Sequence, residues 1–116
     1  VQLPVELGDV VVMGSDGVFD NVFNAQILEI VTGAADPGAA ATSIAELAHA
    51  KGGDPRWRSP FAVEAEKAGY ARMDGGKMDD ITVLVAQVVG GEGQGVAAGA
   101  GFRPVPGVPV LPPSRL

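Results

Sequence analysis

Cysteine is absent from the 116-residue sequence, which excludes disulfides, zinc–thiolate sites and thiol catalysis. Basic residues are few: the 8 Lys and Arg residues form no run, and the formal net charge is −6. Nucleic acids and anionic membrane surfaces both bind clustered positive charge, so neither is an expected partner. No apolar segment approaches the roughly 20 residues that span a bilayer, so no transmembrane segment is expected.

Aromatic side chains are also scarce, at 5% of the residues, and much of the 47% hydrophobic content is Ala and Val. The core should therefore be thin for a chain that has room for one modest domain. The sequence begins at Val1 and shows no charged-then-apolar signal pattern. We interpret it as a fragment or a processed product, and its composition does not identify a compartment.

Two apolar runs predict β-strands. The first, Val10 to Met13, contains three valines and lies between two glycine-containing turns. The second, Ile81 to Val89, has only Thr82 and Gln87 as polar residues. A strand this apolar is expected to be covered on both faces.

Three helices are predicted between these strands. Asn24 can cap a helix that Gly33 ends, Asp36-Pro37 begins a second, and Ser59-Pro60 begins a short third helix that ends near Gly69. The second helix should stop at Gly52-Gly53, and its expected buried residues are Ala40, Ile44, Leu47 and Ala48.

The composition changes after residue 89, which predicts a domain boundary. Residues 90–116 hold 7 of the 17 glycines and 5 of the 9 prolines. Such a segment buries too little to offset its ordering entropy, so we expect a flexible tail, with a polyproline ligand as the alternative. Residues 1–89 would be a folded domain portion. Because two strands do not make a stable sheet alone, the chain should lack part of its own domain.

Two acidic stretches flank the predicted strands: Asp16 follows the first, and Asp79 precedes the second. In parallel strands these carboxylates would lie about 15 Å apart at ~3.3 Å per residue, whereas in antiparallel strands they would face one spot. Converging carboxylates repel unless a cation lies between them, and Mg²⁺ and Mn²⁺ prefer such all-oxygen sites. Gly17 would leave room for the metal and its waters.

Each acidic stretch taken alone has an ordinary explanation, since Asp-Gly after a strand is common turn chemistry. Asp20 could bind a third metal or its waters, or could instead cap a helix start at Val22 and Phe23. Asp80, an extra carboxylate beside Asp79, could tighten metal binding, but it is expected to face solvent or to make an N-terminal hydrogen bond. The combination and order of the two stretches make a metal site the more specific hypothesis.

The stretches "SDGVFD" and "GGKMDDITVLV" resemble the last two acidic motifs of the PPM-type metal-dependent protein phosphatases, the protein phosphatase 2C family. The segment between them, with its "SPFA", resembles a small mitochondrial and plastid subgroup. The resemblance covers roughly Leu7 to Val89. It implies an α+β fold, the C-terminal part of an αββα sandwich of two antiparallel sheets flanked by helices.

The same resemblance implies a two-metal centre of Mg²⁺ or Mn²⁺ that hydrolyses phosphoserine and phosphothreonine in a phosphoprotein substrate. Asp16 and Asp79 would be metal ligands, with Asp20 and Asp80 as outer-shell or third-metal candidates. Most relatives have Asn at the position of Asp80. The other ligands and the phosphate-holding arginine belong to motifs that these 116 residues lack, so no further catalytic residue is expected. We also expect a monomer, in a mitochondrion or chloroplast.

Two alternatives remain. A haloacid-dehalogenase-like phosphohydrolase needs a nucleophilic Asp where this chain has Gly14. A non-catalytic truncated or pseudo-phosphatase fragment would bind a partner without turnover, and an upstream Asp-Gly-x-Gly-Gly motif would argue against it. The single histidine, His49, is expected on a helix surface, and Trp57 is expected to cover the helical layer.

Overall fold

Among the residues that the structure describes, one strand is followed by four helices and then by a second strand. A computed structural model describes residues 2–90. Its elements are β1 (Val10–Gly14), α1 (Asp16–Phe19), α2 (Asn24–Gly33), α3 (Pro37–Gly52), α4 (Pro60–Lys67) and β2 (Val83–Gln87). This order confirms an α+β fold. Apart from Gly90, the predicted tail lies outside the described residues.

The two strands pair antiparallel, as the convergence of the acidic stretches required. Val10 lies opposite Gln87, and Gly14 lies opposite Val83. The second strand, Val83–Gln87, is shorter than its predicted span of 81–89, and at its start the Thr82 N–H bonds to the Ser15 hydroxyl and not to a backbone carbonyl. Antiparallel pairing therefore brings the C-terminal end of β1 next to the N-terminal end of β2.

The hydrophobic core lies between one face of this two-stranded sheet and the helices. Its buried members are small or β-branched: Val18, Val22, Ile27, Val31, Ala40, Ile44 and Ala48. From the strands, Val10, Val12, Val83 and Val85 pack against this cluster. Alternate residues of each strand point to the same face, which explains why every second residue contributes.

The opposite face of the sheet is open within residues 2–90, so the expectation that β2 is covered on both faces is wrong for this part of the chain. Met13 and Leu84 are opposite each other in the register and are 60% and 53% exposed. The hydrophobic core packs on the valine face, and hydrophobicity alone could not show that the second face lacks a cover here.

Helix starts follow the expected chemistry. Asp36 accepts a hydrogen bond from the Ala39 N–H at 2.7 Å, and the Ser59 hydroxyl accepts one from the Ala62 N–H at 3.1 Å. Each cap is followed by proline, whose fixed φ suits the first helical turn.

Two details of the helix predictions are corrected. Helix α2 has Phe23, not Asn24, at its N-cap, and the Gln26 side chain accepts the Phe23 N–H at 2.9 Å. Leu47, although expected to be buried, is half-buried at the margin of the core, whereas Ala40 and Ala48 on the same helix are fully buried. Among the helices described, none combines the length and apolar character needed to cross a membrane.

Candidate functional site

The first acidic stretch lies where β1 turns into α1. Ser15 occupies the N-cap position with extended backbone, and Asp16 begins the helix. The Asp16 side chain is exposed, whereas Gly17 and Val18 behind it are buried. An anionic side chain in the first turn is favourable, because the unpaired N–H groups there carry partial positive charge. The turn thus presents the Asp16 carboxylate to solvent on a rigid base.

The second acidic stretch approaches β2 without regular secondary structure. Asp79 and Asp80 are both exposed, and Asp79 Oδ1 accepts a hydrogen bond from the Asp80 N–H at 2.8 Å. The expectation that Asp80 faces solvent agrees with this exposure. The local bond constrains one oxygen of the Asp79 carboxylate and so limits how that side chain can turn.

Ser15 joins the two acidic stretches directly. Its hydroxyl donates to the Asp80 carbonyl at 2.8 Å and accepts from the Thr82 N–H at 3.0 Å. Its own N–H donates to the Thr82 carbonyl at 3.0 Å. A serine at this position is expected to act only as turn and cap, but its side chain makes no cap bond. Ser15 instead bridges backbone segments more than sixty residues apart in sequence.

Gly17 has a packing role that the sequence did not show. A Cβ at this position would lie 2.3 Å from the Asp80 carbonyl oxygen and 3.1 Å from Ile81 Cγ1. Both distances are shorter than side chains normally tolerate, so only glycine lets α1 approach the second acidic stretch this closely. The predicted role of Gly17 in leaving room for a metal stays a prediction.

Asn21 is the main residue at this site that sequence reasoning missed. Its side chain is buried and bonds to the backbone of Gly17 and of Lys77, two residues before Asp79. A signal existed: Asn21 is a polar residue that directly precedes the apolar pair Val22 and Phe23. A buried amide normally has all its partners satisfied, which makes such a position worth examining.

The Gly75-Gly76 pair allows the chain to reach this position. A Cβ on Gly76 would lie 1.8 Å from the Lys51 carbonyl oxygen, and Gly75 has φ +133°, which side chains rarely adopt. The Ser59 hydroxyl donates to the Gly75 carbonyl at 2.7 Å, in addition to capping α4. The segment before Asp79 is therefore pressed against the end of α3 and fixed from two sides.

Asp20 lies at the C-terminal end of α1, where its N–H donates to the Asp16 carbonyl at 2.9 Å. No helix starts at Val22, so the alternative interpretation of Asp20 as a helix-start cap is wrong. Its carboxylate lies 3.5 Å from Lys77 Nζ, which also lies 4.8 Å from the Phe61 ring centroid. A role in binding metal waters or a third metal stays a prediction.

The two other conspicuous side chains take structural positions. His49 is exposed on α3, as expected for a helix-surface histidine. Trp57 donates its indole N–H to the Asn21 carbonyl at 2.7 Å and packs edge-on against Phe23, with ring centroids 5.8 Å apart. Lys51 Nζ lies 4.2 Å from the Trp57 ring. Trp57 thus covers the helical layer beside the site, as predicted.

An ion cluster holds the loop that leads into the second acidic stretch. Arg58 pairs with Glu66 and also donates to Asp74 Oδ1 at 3.0 Å, and Arg72 lies 3.4 Å from the same oxygen. The bond from Arg58, helped by Arg72, lowers the pKa of the Asp74 carboxyl. The hydrogen bonds of Arg58 to Glu66 and to Asp74 raise the pKa of Arg58, and the bond to Glu66 contributes most. These charges are tied to one another and not to Asp16 or Asp79.

The carboxylates themselves form an incomplete donor set. Across residues 2–90, no group of three or more His, Asp or Glu side chains is placed to hold a metal ion. What the fold supplies is two acidic stretches joined at the backbone, with the carboxylate oxygens that Mg²⁺ and Mn²⁺ prefer. The arrangement suits part of a metal site and requires further ligands to complete one.

Known proteins with the same sequence features were found by comparison. No family model matches the chain. "Probable protein phosphatase 2C 26" of Arabidopsis thaliana is 43% identical over 95 residues, covering 73% of this chain and 32% of the relative. "Probable protein phosphatase 2C 80" of the same plant is 46% identical over 90 residues, covering 74% and 22%. "Protein phosphatase PTC7 homolog fig" of Drosophila willistoni is 38% identical, covering 75% and 30%.

A solved structure shows the same relationship in three dimensions. The X-ray structure of the photosystem II phosphatase PBCP matches with a TM-score of 0.71 and 38% sequence identity, over 74% of this chain and 38% of that one. The chain spans about a third or less of the length of the three curated relatives. Sequence identity and shared fold agree, and the chain belongs to the PPM-type phosphatases, the protein phosphatase 2C family.

Proposed function

We propose that this chain is part of a metal-dependent protein serine/threonine phosphatase in which Asp16 and Asp79 bind one divalent cation. The observation that carries the proposal is the Ser15 bridge, whose bonds to Asp80 and Thr82 are 2.8 and 3.0 Å long. This bridge joins the backbone of both acidic stretches at the same end of the antiparallel pair. Family membership supplies the reaction class.

The role of the two carboxylates is to hold and orient the cation. Both side chains are exposed, so their oxygens are accessible to a hydrated ion. When bound, a pair of Mg²⁺ or Mn²⁺ ions activates a water molecule and neutralises charge on the phosphoryl group. The resemblance assigns the remaining ligands to motifs outside these 116 residues. Asp80, exposed beside Asp79, and Asp20, close to Lys77, are proposed to act on metal-bound waters or on a weaker third ion.

The open face of the sheet supports a larger architecture. Met13 and Leu84 leave an apolar surface uncovered within the described residues. We infer that a second antiparallel sheet packs there in the whole protein, which gives the αββα sandwich implied by the resemblance. Burying the two side chains would stabilise that contact by roughly 2–3 kcal/mol, because full burial of one Met or Leu side chain contributes about 1.5–3 kcal/mol and each is little more than half exposed.

Substrate and compartment are proposed on the family relationship. A phosphoprotein is the expected substrate, and a monomer is the expected state. The segment with "SPFA" supports a mitochondrion or a chloroplast as the compartment. The haloacid-dehalogenase alternative is not favoured, since the relatives belong to a different class and Gly14 offers no nucleophile.

Substitution of the two ligands in a longer protein that contains this chain tests the proposal. Asp16→Asn and Asp79→Asn should each abolish Mn²⁺-dependent phosphopeptide hydrolysis and erase stabilisation by Mn²⁺, which depends on its concentration relative to Kd. Without metal, both variants should be as stable as wild type or slightly more stable, because the repulsion between the carboxylates is removed; in Asp16→Asn this gain is offset in part by the loss of a favourable charge in the first turn of α1. Asp36→Asn is the matched control, since Asn also caps helices well and α3 should be unaffected.

Each possible failure has a distinct meaning. Full activity in Asp16→Asn would contradict the phosphatase assignment of "SDGVFD". Full activity in Asp79→Asn would show that the ligand is the neighbouring Asp80, which should be substituted next. If either change lowers stability by about 1 kcal/mol while activity and metal response persist, the carboxylate is a structural turn or cap.

A further inference from the structure

Asn21 is a buried polar residue whose side-chain bonds all end on the backbone beside the candidate metal ligands. It is 1% exposed. Its Nδ2 donates to the Gly17 carbonyl at 2.9 Å and to the Lys77 carbonyl at 2.7 Å, and its Oδ1 accepts from the Lys77 N–H at 2.8 Å. Both donors and one acceptor site of the carboxamide are therefore used, which makes this a satisfied buried amide.

These bonds connect the two acidic stretches from the protein interior. Gly17 directly follows Asp16, and Lys77 is two residues before Asp79. The bond partners of Asn21 are thus four residues before it and fifty-six residues after it in the chain. Ser15 makes the corresponding connection on the exposed side, through Asp80 and Thr82. The site is consequently fixed on two sides by side chains that are not themselves metal ligands.

Because Asn21 is buried, water does not readily replace the hydrogen bonds that its side chain makes. Removing a buried amide would leave the Gly17 carbonyl and both backbone groups of Lys77 without their partner, in a place that water reaches poorly. The segment around Lys77 should then shift toward solvent, because its unpaired carbonyl and N–H groups would form hydrogen bonds with water there. Such a movement changes the separation of the Asp16 and Asp79 carboxylates, although Asn21 contacts neither side chain.

We propose that Asn21 is a positioning residue, whose carboxamide sets the separation of Asp16 and Asp79 and so preorganises them for a divalent cation. The inference rests on the proposed function, because it assumes that these two aspartates bind one ion. Groups that orient metal ligands without touching the metal commonly change its affinity by roughly 10- to 100-fold when they are substituted.

Metal binding by a longer protein that contains this chain, and so the remaining ligands, tests this inference without a need for enzyme activity. Mn²⁺ is titrated into the ¹⁵N-labelled protein, and paramagnetic broadening of the Gly17 and Asp80 amide signals is followed. In wild type, both signals should broaden together. In Asn21→Leu, which keeps the branched shape and the number of side-chain heavy atoms but removes the polar groups, the apparent Kd should rise roughly tenfold. Asn24→Leu is the matched control, since Asn24 is exposed at the start of α2, and its Kd should equal that of wild type.

A second measurement on the wild-type protein covers the case in which Asn21→Leu does not fold. The Lys77 N–H donates to Asn21, so its hydrogen exchange reports whether this bond is closed. Binding and positioning are reciprocal, so diamagnetic Mg²⁺ should slow exchange at Lys77. At the Ala62 N–H, which is bonded to Ser59, exchange should not change.

The outcomes separate the inference from the proposed function. If wild type broadens at both amides while folded Asn21→Leu binds Mn²⁺ with unchanged affinity, the positioning role is wrong and the metal pair stands. If Mg²⁺ leaves Lys77 exchange unchanged although both amides broaden with Mn²⁺, the positioning role is equally contradicted. If neither amide broadens in wild type, the shared metal site is wrong, and the inference is overturned with it.

Discussion

Replacing Gly17 with alanine should destabilise the protein through one backbone contact. The new Cβ would lie 2.3 Å from the Asp80 carbonyl oxygen, and real Cβ atoms essentially never approach closer than 3.0 Å. The carbonyl must therefore withdraw by at least about 0.7 Å, which stretches the bond that it accepts from Ser15. Gly17 does not have a positive φ, so its backbone conformation itself would accept alanine.

The expected magnitude follows from two opposing effects. Overpacking against backbone typically costs about 1–3 kcal/mol, whereas alanine in a helix gains about 0.5–1 kcal/mol over glycine. The net loss in the free energy of unfolding should be roughly 0.5–2 kcal/mol. Gly33→Ala is the matched control, because a Cβ at the end of α2 meets nothing within 4 Å. That variant should be unchanged or more stable by up to about 1 kcal/mol.

Urea denaturation measures both variants in the 116-residue chain. Trp57 is the single tryptophan, and it donates to the Asn21 carbonyl, so its fluorescence reports unfolding of the region that carries the site. Gly17→Ala should lower the unfolding midpoint, and Gly33→Ala should raise it or leave it unchanged. A Gly17→Ala chain as stable as wild type would refute the close packing of α1 on the second acidic stretch.

Two further predictions concern acid stability and activity. Because Arg58 lowers the pKa of Asp74, the pair contributes stability above the ordinary carboxyl pKa of about 4, and this is lost as the pH falls through the lowered value. Asp74→Asn should accordingly lower the unfolding midpoint at pH 7 and lower it progressively less as the pH falls below the ordinary carboxyl pKa, and an equal effect at pH 7 and at pH 2 would contradict the ion pair. The 116-residue chain alone should not hydrolyse phosphopeptides, because residues 2–90 place no three metal-ligating side chains together. Appreciable Mn²⁺-dependent turnover by the purified chain would contradict this expectation.

Local sequence signals predicted the secondary structure well where one residue type decides the outcome. Asp36-Pro37 and Ser59-Pro60 begin helices because the cap oxygen and the proline ring act within a single turn. The valines of β1 likewise predicted a strand, because β-branched side chains favour strands. The convergence of the acidic stretches depends on the antiparallel direction of the two strands, which the residues alone left open and the family resemblance implied.

The contacts that depend on distant residues were not predictable. The Asn21 carboxamide bonds to Lys77, and the Ser15 hydroxyl bonds to Asp80 and Thr82, all more than fifty positions away. No local pattern shows such a partner. Hydrophobicity likewise showed that both faces of β2 are apolar but not which face the helices cover. The core packs against the face that carries Val83 and Val85, and Leu84 on the other face is exposed.

The strand register fixes the number of residues between each acidic stretch and the strand next to it. Gly14 lies opposite Val83, and Ser15 is bonded to Thr82, so each carboxylate is a fixed number of residues from a paired position. One inserted residue on either side would displace a carboxylate by about 3.3 Å and turn it toward the opposite face. The turn at Gly69, where a side chain would meet nothing within 4 Å, has no such constraint. Insertions and deletions should therefore be tolerated near Gly69 and excluded at 14–16 and 79–83.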